Sequence, residues 1–417
     1  MSHPLTSSLH VVVAALSFGV LVSPTAAAQE SAYRFTTERD LGNSDYRDEI
    51  ENFWRTGKSR MHTWEAERSK EEDAFFKGEG GLKISFVSFR LPRDKEQGAI
   101  VISSGRTESY AKYKELVFDL VNNGYSVYIH DHRGQGFSDR EPEIQAGCKA
   151  GEPDGSAGKS TRECQRGYVR RFDYFVDDLE TFMAEIVSKG GHEHVFLLAH
   201  SMGGAIASRY LELRPAASRN TLRAVAMTSP MHGILGVRRL PARILSCRVV
   251  SVTARILDPT GYVLMQTGYA PKDFKENEFT QSEVRYQRLG EEYGKVSQIK
   301  LGGITRRWLN EACSAADKAV EHAPAITVPV LLYQAGDDTI VDPRGHRAFC
   351  RLLRLGKANA EQGCGAEDGG PIVVHNARHE LLIEVDDHRT KVLRGILRFF
   401  DTHRQASAGP DKKGKIQ

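Results

Sequence analysis

The sequence has little net charge and no apolar run long enough to span a bilayer. Its 417 residues include 57 Lys and Arg against 54 Asp and Glu, a formal charge of +3. This charge is too small for a nucleic-acid footprint spread over the protein, so we expect no nucleic-acid partner. Hydrophobic residues make up 40%, with 38 Gly and 15 Pro, which excludes collagen-like, coiled-coil and largely disordered chains. At about 150 residues per domain, the length allows two or three globular units.

The amino terminus lacks charged side chains altogether. Residues 1–28 contain no Asp, Glu, Lys or Arg, and an apolar stretch, Val11–Val22, precedes Ala26-Ala27-Ala28. A short apolar run followed by small residues is typical of a secretory signal peptide, whereas a membrane span needs about 20 apolar residues. The sequence therefore predicts a signal peptide over 1–28, cleaved before Gln29, and export to the periplasm. An uncleaved signal that leaves the protein membrane-associated is the alternative.

None of the six cysteines forms a C-x-x-C pair, so the sequence lacks a common spacing of metal sites. An even number of cysteines in an exported chain favours disulfides instead. Several connectivities are open. Proximity in the chain favours Cys148 with Cys164 and Cys350 with Cys364, which leaves Cys247 for Cys313; buried free thiols are the alternative.

Short β-branched or aromatic runs alternate with helical patterns along most of the chain. This alternation is typical of an α/β protein with a mostly parallel central sheet flanked by helices. One long segment breaks the alternation and favours helices, and we expect it to cover the carboxyl ends of the strands, where such sheets bind ligands. We therefore predict a core over 29–230 and 323–404, a helical cap over 231–322 and a polar, disordered tail over 405–417.

One serine lies in a distinctive local context. Ala199-His200-Ser201-Met202-Gly203-Gly204 follows the apolar strand Val195–Leu198 and precedes a helix-forming run. Strand, tight turn and helix together are typical of a nucleophile elbow, whose turn requires small residues such as Ala199 and Gly203 on either side of the serine. The start of a helix also favours a developing anion. We predict that Ser201 is a nucleophile; a helix-capping serine is the alternative.

A serine nucleophile needs a histidine base and a carboxylate that orients the histidine. On this type of core the chain order is serine, acid, histidine. The apolar strand Val330–Gln334 runs into a turn that contains Asp337, Asp338 and Asp342. We predict that Asp338 is the acid, with turn-capping roles for the other two. His379 follows the next apolar strand, in the loop before the last helix, and is the predicted base.

The tetrahedral intermediate of such a reaction needs an oxyanion hole, formed by the backbone N–H after the nucleophile and one from the loop after an early strand. Met202 and Arg106 are the candidates, because Ser104-Gly105-Arg106 follows an apolar strand. Other catalytic motifs are missing, since the sequence has neither H-E-x-x-H nor a P-loop. We interpret Asp131–Gly136 as a structural turn, and we predict no metal site.

These motifs resemble those of the α/β-hydrolases of the monoacylglycerol lipase and bacterial lysophospholipase group. The resemblance runs from about Phe53 to Phe400 and includes Phe53-Trp54-Arg55, Gly105–Tyr110, Asp131–Ser138, Arg171–Tyr174, Ala199–Ile206, Pro230-Met231 and His379-Glu380. It implies an α/β-hydrolase fold with a helical cap inserted after the sixth strand. It also implies a triad of Ser201, Asp338 and His379 that hydrolyses lysophospholipid or monoacylglycerol esters without a cofactor. Ser104-Gly105 departs from the His-Gly that monoacylglycerol lipases usually have here.

A basic stretch within the predicted cap bears on the substrate. Between residues 231 and 270, five arginines face one acid, Asp258, and apolar residues recur every three or four positions. We predict a helix whose apolar stripe lines an acyl tunnel, with Arg238 and Arg239 contacting anionic headgroups at a membrane surface or the substrate phosphate. A cap helix with solvated arginines is the alternative.

The fold and a triad do not by themselves choose a substrate. Two other functions therefore remain open at this point. One is a short-ester hydrolase or serine aminopeptidase-like peptidase on the same core. The other is a lipid-binding protein that does not turn over its ligand.

Overall fold

The computed structural model describes residues 33–60, 65–70, 74–146, 148, 161–214, 222–235 and 258–405. The chain divides into two units, Met1–Arg34 and Phe35–Gln417, and all the elements below belong to the second. Several predictions fall outside the described residues. These are the signal peptide over 1–28, the headgroup contacts of Arg238 and Arg239, the bridge from Cys247 and the tail beyond residue 405.

A nine-stranded sheet forms the centre of the second unit. Its strands in chain order are β1 (Glu67–Arg68), β2 (Phe75–Lys77), β3 (Lys83–Arg90), β4 (Gly98–Ser103), β5 (Tyr125–His130), β6 (Val195–His200), β7 (Leu222–Thr228), β8 (Val330–Ala335) and β9 (Ile372–Val374). Their order in space is β1-β3-β5-β4-β6-β7-β8-β9, and β2 also pairs with β3. The pairs from β5 to β9 are parallel, and β3 is antiparallel to β1, β2 and β5. The predicted mostly parallel sheet is confirmed.

Helices flank this sheet. In the described residues they are α1 (Glu38–Gly42), α2 (Ser44–Thr56), α3 (Lys114–Asn122), α4 (Pro142–Gln145), α5 (Thr161–Cys164), α6 (Asp173–Phe182), α7 (Met202–Leu213), α8 (Glu283–Lys295), α9 (Arg306–Glu321), α10 (Pro343–Leu353) and α11 (Asp386–Gln405). Neighbouring residues of a strand point to opposite faces of the sheet. Phe196 of β6 stacks on Phe400 of α11, with ring centroids 4.6 Å apart, whereas Leu197 belongs to the core formed with α6, α7 and α9. Helices therefore cover both faces.

The predicted cap segment contributes α8 and α9 to the described residues. The guanidinium of Arg285 on α8 is buried, donates to the carbonyl oxygen of Glu384 at 2.7 Å and lies 3.0 Å from the carboxylate of Glu115. Leu309 and Ala312 of α9 belong to the main hydrophobic core. Both helices are therefore anchored to the rest of the unit, and the division at residues 231 and 322 stays a prediction.

Two short strands were missed by the apolar patterns. β1 consists of Glu67 and Arg68, and β2 of three residues, of which only Phe76 is buried. Neither strand has an apolar run of its own, because each is formed by pairing with the edge of β3. In the structure the predicted cap segment, 231–322, follows β7 in chain order.

Two of the predicted disulfides are present. Cys148 bonds to Cys164 and Cys350 to Cys364, with Cα atoms 5.8 and 5.5 Å apart. Each bridge closes a short loop, because the paired cysteines are 16 and 14 residues apart in the sequence.

In the part of the chain that the structure describes, no helix combines the length and apolarity required to cross a membrane.

Candidate active site

Ser201 lies in the turn between β6 and α7. Its backbone has φ 52° and ψ −118°, a conformation that residues other than glycine rarely adopt. Strain of this kind is found where a sharp turn presents a functional side chain. The N–H of Ser201 donates to the carbonyl oxygen of Thr228 at 3.1 Å, and its own carbonyl oxygen accepts from Gly204 and Met231. The predicted elbow geometry is therefore present at Ser201.

Gly203 is required by a close backbone approach. A Cβ atom at this position would lie 2.0 Å from the carbonyl oxygen of Ser103 and 2.6 Å from that of Ser104. Such distances are far inside van der Waals contact, so a larger residue would push the two backbones apart. The start of α7 thus lies against the end of β4 and the loop that follows it.

Three predicted side chains form a continuous hydrogen-bonded chain. The Nε2 of His379 lies 2.9 Å from the Oγ of Ser201, and its Nδ1 lies 2.7 Å from the Oδ2 of Asp338. A carboxylate can only accept, so Nδ1 carries a proton when Asp338 is ionised. In the neutral imidazole this leaves Nε2 as an acceptor for the Ser201 hydroxyl.

Asp338 is held as an anion by its surroundings. The Oδ1 of its carboxylate accepts from the N–H groups of Ile340 and Val341, at 2.8 and 3.0 Å. Burial raises the pKa of Asp338, but His379 and these two N–H groups together lower it by more. The net pKa therefore lies below the usual value of 3.8. The carboxylate is therefore charged at neutral pH.

The two neighbouring acids occupy other positions. Asp337 is exposed, and its N–H donates to the carbonyl oxygen of Ala377. Asp342 caps α10, because its side chain accepts from the N–H of Arg344 at 2.9 Å. Of the three acids, it is the Asp338 carboxylate that reaches His379.

Arg106 and Met202, the predicted oxyanion donors, lie at the ends of two converging segments. Met202 is the first residue of α7, and Arg106 follows β4 in the loop that approaches Gly203. The Arg106 guanidinium donates to the carbonyl oxygens of Gly302 and Gly303 at 2.9 and 2.6 Å. Burial lowers the pKa of this group to about 10. The side chain therefore ties the loop after β4 to the segment before α9, and the oxyanion role of the backbone stays a prediction.

Four ionisable residues directly behind this site were not predicted from the sequence. The Nζ of Lys112 lies 2.6 Å from a carboxylate oxygen of Glu108 and 2.6 Å from one of Glu380. The Nε2 of His200 lies 3.1 Å from Glu380 and 3.7 Å from Glu108. We call Glu108, Lys112, His200 and Glu380 the ionic network. All four side chains are buried, with exposed fractions of 8% or less.

Two signals in the sequence could have indicated this network. Glu108 and Lys112 stand four residues apart, a spacing that suits an ion pair, and Glu380 directly follows the predicted base. His200 lies at the end of a buried strand, where a histidine needs polar partners, and the network supplies one of them.

The ionic network contains a group of metal-ligating residue types. Among the described residues, the ligand atoms of Glu108, His200 and Glu380 lie within 4.8 Å of one another. The ammonium of Lys112 already lies between the two carboxylates, within hydrogen-bond distance of both. The cationic position is therefore taken by Lys112, and this group does not fit a metal ion.

The hydrolase family described as "Serine aminopeptidase, S33" (Hydrolase_4) matches residues 94–386. Lysophospholipase L2 of Escherichia coli is 33% identical over 338 residues, which cover 81% of this chain and 90% of that protein. Human monoglyceride lipase is 25% identical over 269 residues, covering 64% and 74%.

Solved structures of low identity share the fold. A soluble variant of monoglyceride lipase from Saccharomyces cerevisiae, in complex with a substrate analogue, has a TM-score of 0.56 at 19% identity. The alignment covers 80% of this chain and 98% of that one. The monoacylglycerol lipase of Paleococcus ferrophilus has a TM-score of 0.51, also at 19% identity, over 81% and 99%. The predicted α/β-hydrolase fold is confirmed.

Proposed function

The chain belongs to the Hydrolase_4 family of serine hydrolases (Serine aminopeptidase, S33), and on that basis we propose that it is a carboxylic ester hydrolase of single-chain lipids. The proposed substrates are lysophospholipids or monoacylglycerols, since relatives along most of the chain are a lysophospholipase and a monoglyceride lipase. The proposed reaction uses Ser201, His379 and Asp338 and requires no cofactor.

The observation that carries this proposal is the hydrogen-bonded chain from Asp338 through His379 to Ser201. A serine hydroxyl is a weak nucleophile at neutral pH and needs a base within hydrogen-bond distance. At 2.9 Å, the Nε2 of His379 can take the hydroxyl proton as Oγ attacks the ester carbonyl. The Asp338 carboxylate stabilises the imidazolium that forms.

The reaction proceeds in two halves. In the first, the tetrahedral oxyanion is bound by the N–H groups of Met202 and Arg106, and His379 then donates its proton to the leaving alcohol. An acyl ester on Ser201 remains. In the second half, His379 removes a proton from water, the hydroxide attacks the acyl carbonyl, and the fatty acid leaves as Ser201 is reprotonated.

A peptidase or short-ester activity is the second candidate, and the description of the matching family favours it. A peptidase differs from the lipid ester hydrolase in the leaving group, which is an amine instead of an alcohol. A short-ester hydrolase also releases an alcohol and differs in the length of the acyl chain that it accepts. Hydrolysis rates over lysophospholipids, monoacylglycerols, p-nitrophenyl esters and aminoacyl amides distinguish them. We expect the highest kcat/KM on a long-chain lysophospholipid or monoacylglycerol, and loss of all ester hydrolysis in Ser201→Ala. Preference for aminoacyl amides would favour the peptidase, and binding of lipid without hydrolysis would favour a binding protein.

Export is part of the proposal. Disulfides form and persist in oxidising compartments, and the Cys148–Cys164 and Cys350–Cys364 bridges support a periplasmic location. An exported enzyme would meet its lipid substrate at a membrane surface, where we propose that Arg238 and Arg239 contact anionic headgroups.

A further inference from the structure

Each acidic or histidine member of the ionic network adjoins a different catalytic segment. Glu108 accepts from the N–H of Gly105 at 2.5 Å, inside the loop that carries the proposed oxyanion donor. His200 directly precedes Ser201, and Glu380 directly follows His379. The ring centroids of His200 and His379 are 5.0 Å apart. The network therefore joins three segments that are distant in sequence and must meet with the right geometry for catalysis.

Lys112 makes the direct connection between two of these segments. Its ammonium donates to Glu108 Oε1 and to Glu380 Oε2, both at 2.6 Å. Burial lowers the pKa of Lys112, but the two carboxylates raise it by more, so the amine is charged. The remaining oxygen of Glu108 also accepts from the hydroxyl of Tyr113 at 2.5 Å. Glu108 is thereby fixed from three directions.

His200 is the fourth member of the network. Its Nδ1 lies 3.1 Å from both the carbonyl oxygen and the hydroxyl of Thr228, and its Nε2 lies 3.1 Å from a carboxylate oxygen of Glu380. Burial lowers the pKa of His200, but Glu380 and Glu108 raise it to a net value above normal. A raised pKa favours the imidazolium, and with it the two carboxylates and the Lys112 ammonium sum to zero charge.

This balance makes each member costly to remove. A buried carboxylate that loses its cation is left uncompensated, and the segment that carries it must shift or take up a proton. A shift of Gly105 or His379 changes the geometry of the reacting atoms. Displacement by about 1 Å in an active site can reduce the rate about 100-fold.

We propose that Lys112 is a positioning residue, which holds the Gly105 loop and the His379 loop in register with Ser201 through the carboxylates of Glu108 and Glu380. This inference rests on the proposed function, because it assumes that Ser201 and His379 react with an ester. Lys112 acts through these carboxylates and their loops and takes no part in bond making.

The chain offers a matched control. Arg389 and Asp119 form another buried ion pair, 2.7 Å apart, with exposed fractions of 1% and 2%. This pair joins α11 to α3, and the Asp119 carboxylate also accepts from Thr36, which lies outside the three catalytic segments. Arg389 uses a different nitrogen, Nε, to donate to the carbonyl oxygen of Leu382 at 2.9 Å, and Asp119→Asn leaves that bond in place. Asp119→Asn should therefore lower Tm and leave the kcat of the folded enzyme unchanged.

The test compares Lys112→Met with Asp119→Asn on a soluble short-chain p-nitrophenyl ester. We expect Lys112→Met to lower kcat about 10- to 100-fold with little change in KM, because the chemical step and not ester binding depends on the loop positions. A double variant combines Lys112→Met with Glu108→Gln. It removes one positive and one negative charge, so that the Glu380 carboxylate is balanced by the His200 imidazolium. This double variant should recover most of the Tm lost in Lys112→Met and should retain the low kcat, since the bridge stays broken.

The outcomes separate the two proposals. A Lys112→Met enzyme with wild-type kcat and only a reduced Tm, or a double variant that regains kcat together with Tm, would overturn the positioning role and leave the ester hydrolase intact. A wild-type protein that hydrolyses no ester would overturn the proposed function itself. If Lys112→Met fails to fold, the charge-balanced double variant decides the question by its kcat alone.

Discussion

The Oδ2 of Asp338 lies 2.7 Å from the Nδ1 of His379, whereas the adjacent Asp337 is exposed. We expect Asp338→Asn to reduce kcat on the order of ten-thousandfold, because an amide favours the imidazole tautomer in which Nε2 can no longer accept the serine proton. Asp337→Asn is the matched control and should leave kcat close to that of the wild type. Steady-state kinetics on a soluble ester, with circular dichroism to verify folding, compare the two. A severe loss of kcat in Asp337→Asn, with little change in Asp338→Asn, would identify Asp337 as the acid instead.

The stability of the protein at acidic pH should also depend on the Asp338 carboxylate. The net pKa of Asp338 is lowered below 3.8, by His379 and two backbone N–H groups acting against burial. A carboxyl of this kind stabilises the fold above its unfolded pKa, and that contribution is lost as pH falls through the folded pKa. We expect the Tm difference between wild type and Asp338→Asn to be largest near neutral pH and to shrink below about pH 4. A difference that grows on acidification would contradict this assignment.

The two short-loop disulfides should each contribute to stability. A bridge over a loop of this size restricts the unfolded chain, and this loss of chain entropy stabilises the folded protein by about 3 kcal/mol. We expect Cys350→Ala with Cys364→Ala to lower the free energy of unfolding by about that amount, measured by urea titration against the wild type. Non-reducing peptide mapping of periplasmic material should recover Cys148–Cys164 and Cys350–Cys364 peptides. Recovery of all six cysteines as free thiols would reject both the bridges and the proposed export.

The basic stretch of the cap gives a prediction about the interface. We expect Arg238→Ala with Arg239→Ala to lower activity on lysophospholipid vesicles more than on a soluble short-chain ester. The gap should close at high ionic strength, because exposed charge interactions are screened over about 8 Å at physiological salt and over less at higher salt. Equal losses on both substrates at every salt concentration would indicate arginines that are simply solvated.

The hydrogen-bonded arrangement of the three proposed triad residues could be predicted because their signals are local. The elbow needs an apolar strand, a serine and small neighbours in a single short segment, and Ser201 with Gly203 meets each condition. Asp338 and His379 follow apolar strands, and parallel strands bring their carboxyl ends to one edge of the sheet. Local pattern and topology together were sufficient to place the three side chains next to one another.

The ionic network could not be predicted in the same way. Glu108, Lys112 and Glu380 are charged residues that would ordinarily lie in solvent, and their burial depends on loops that meet only in the folded protein. The packing of α9 could not be predicted either. An amphipathic pattern identifies the face of a helix that is buried, but it does not identify the elements against which that face packs. β1 was missed since two charged residues, Glu67 and Arg68, carry no strand signal.

Covalent labelling with a fluorophosphonate tests most directly whether Ser201 is an activated nucleophile. Peptide mass spectrometry after labelling locates the modified residue. The expected result is one label per wild-type chain on the peptide that contains Ser201, strongly reduced labelling in His379→Ala and none in Ser201→Ala. Labelling that survives Ser201→Ala, or a wild-type protein that is not labelled at all, would contradict it.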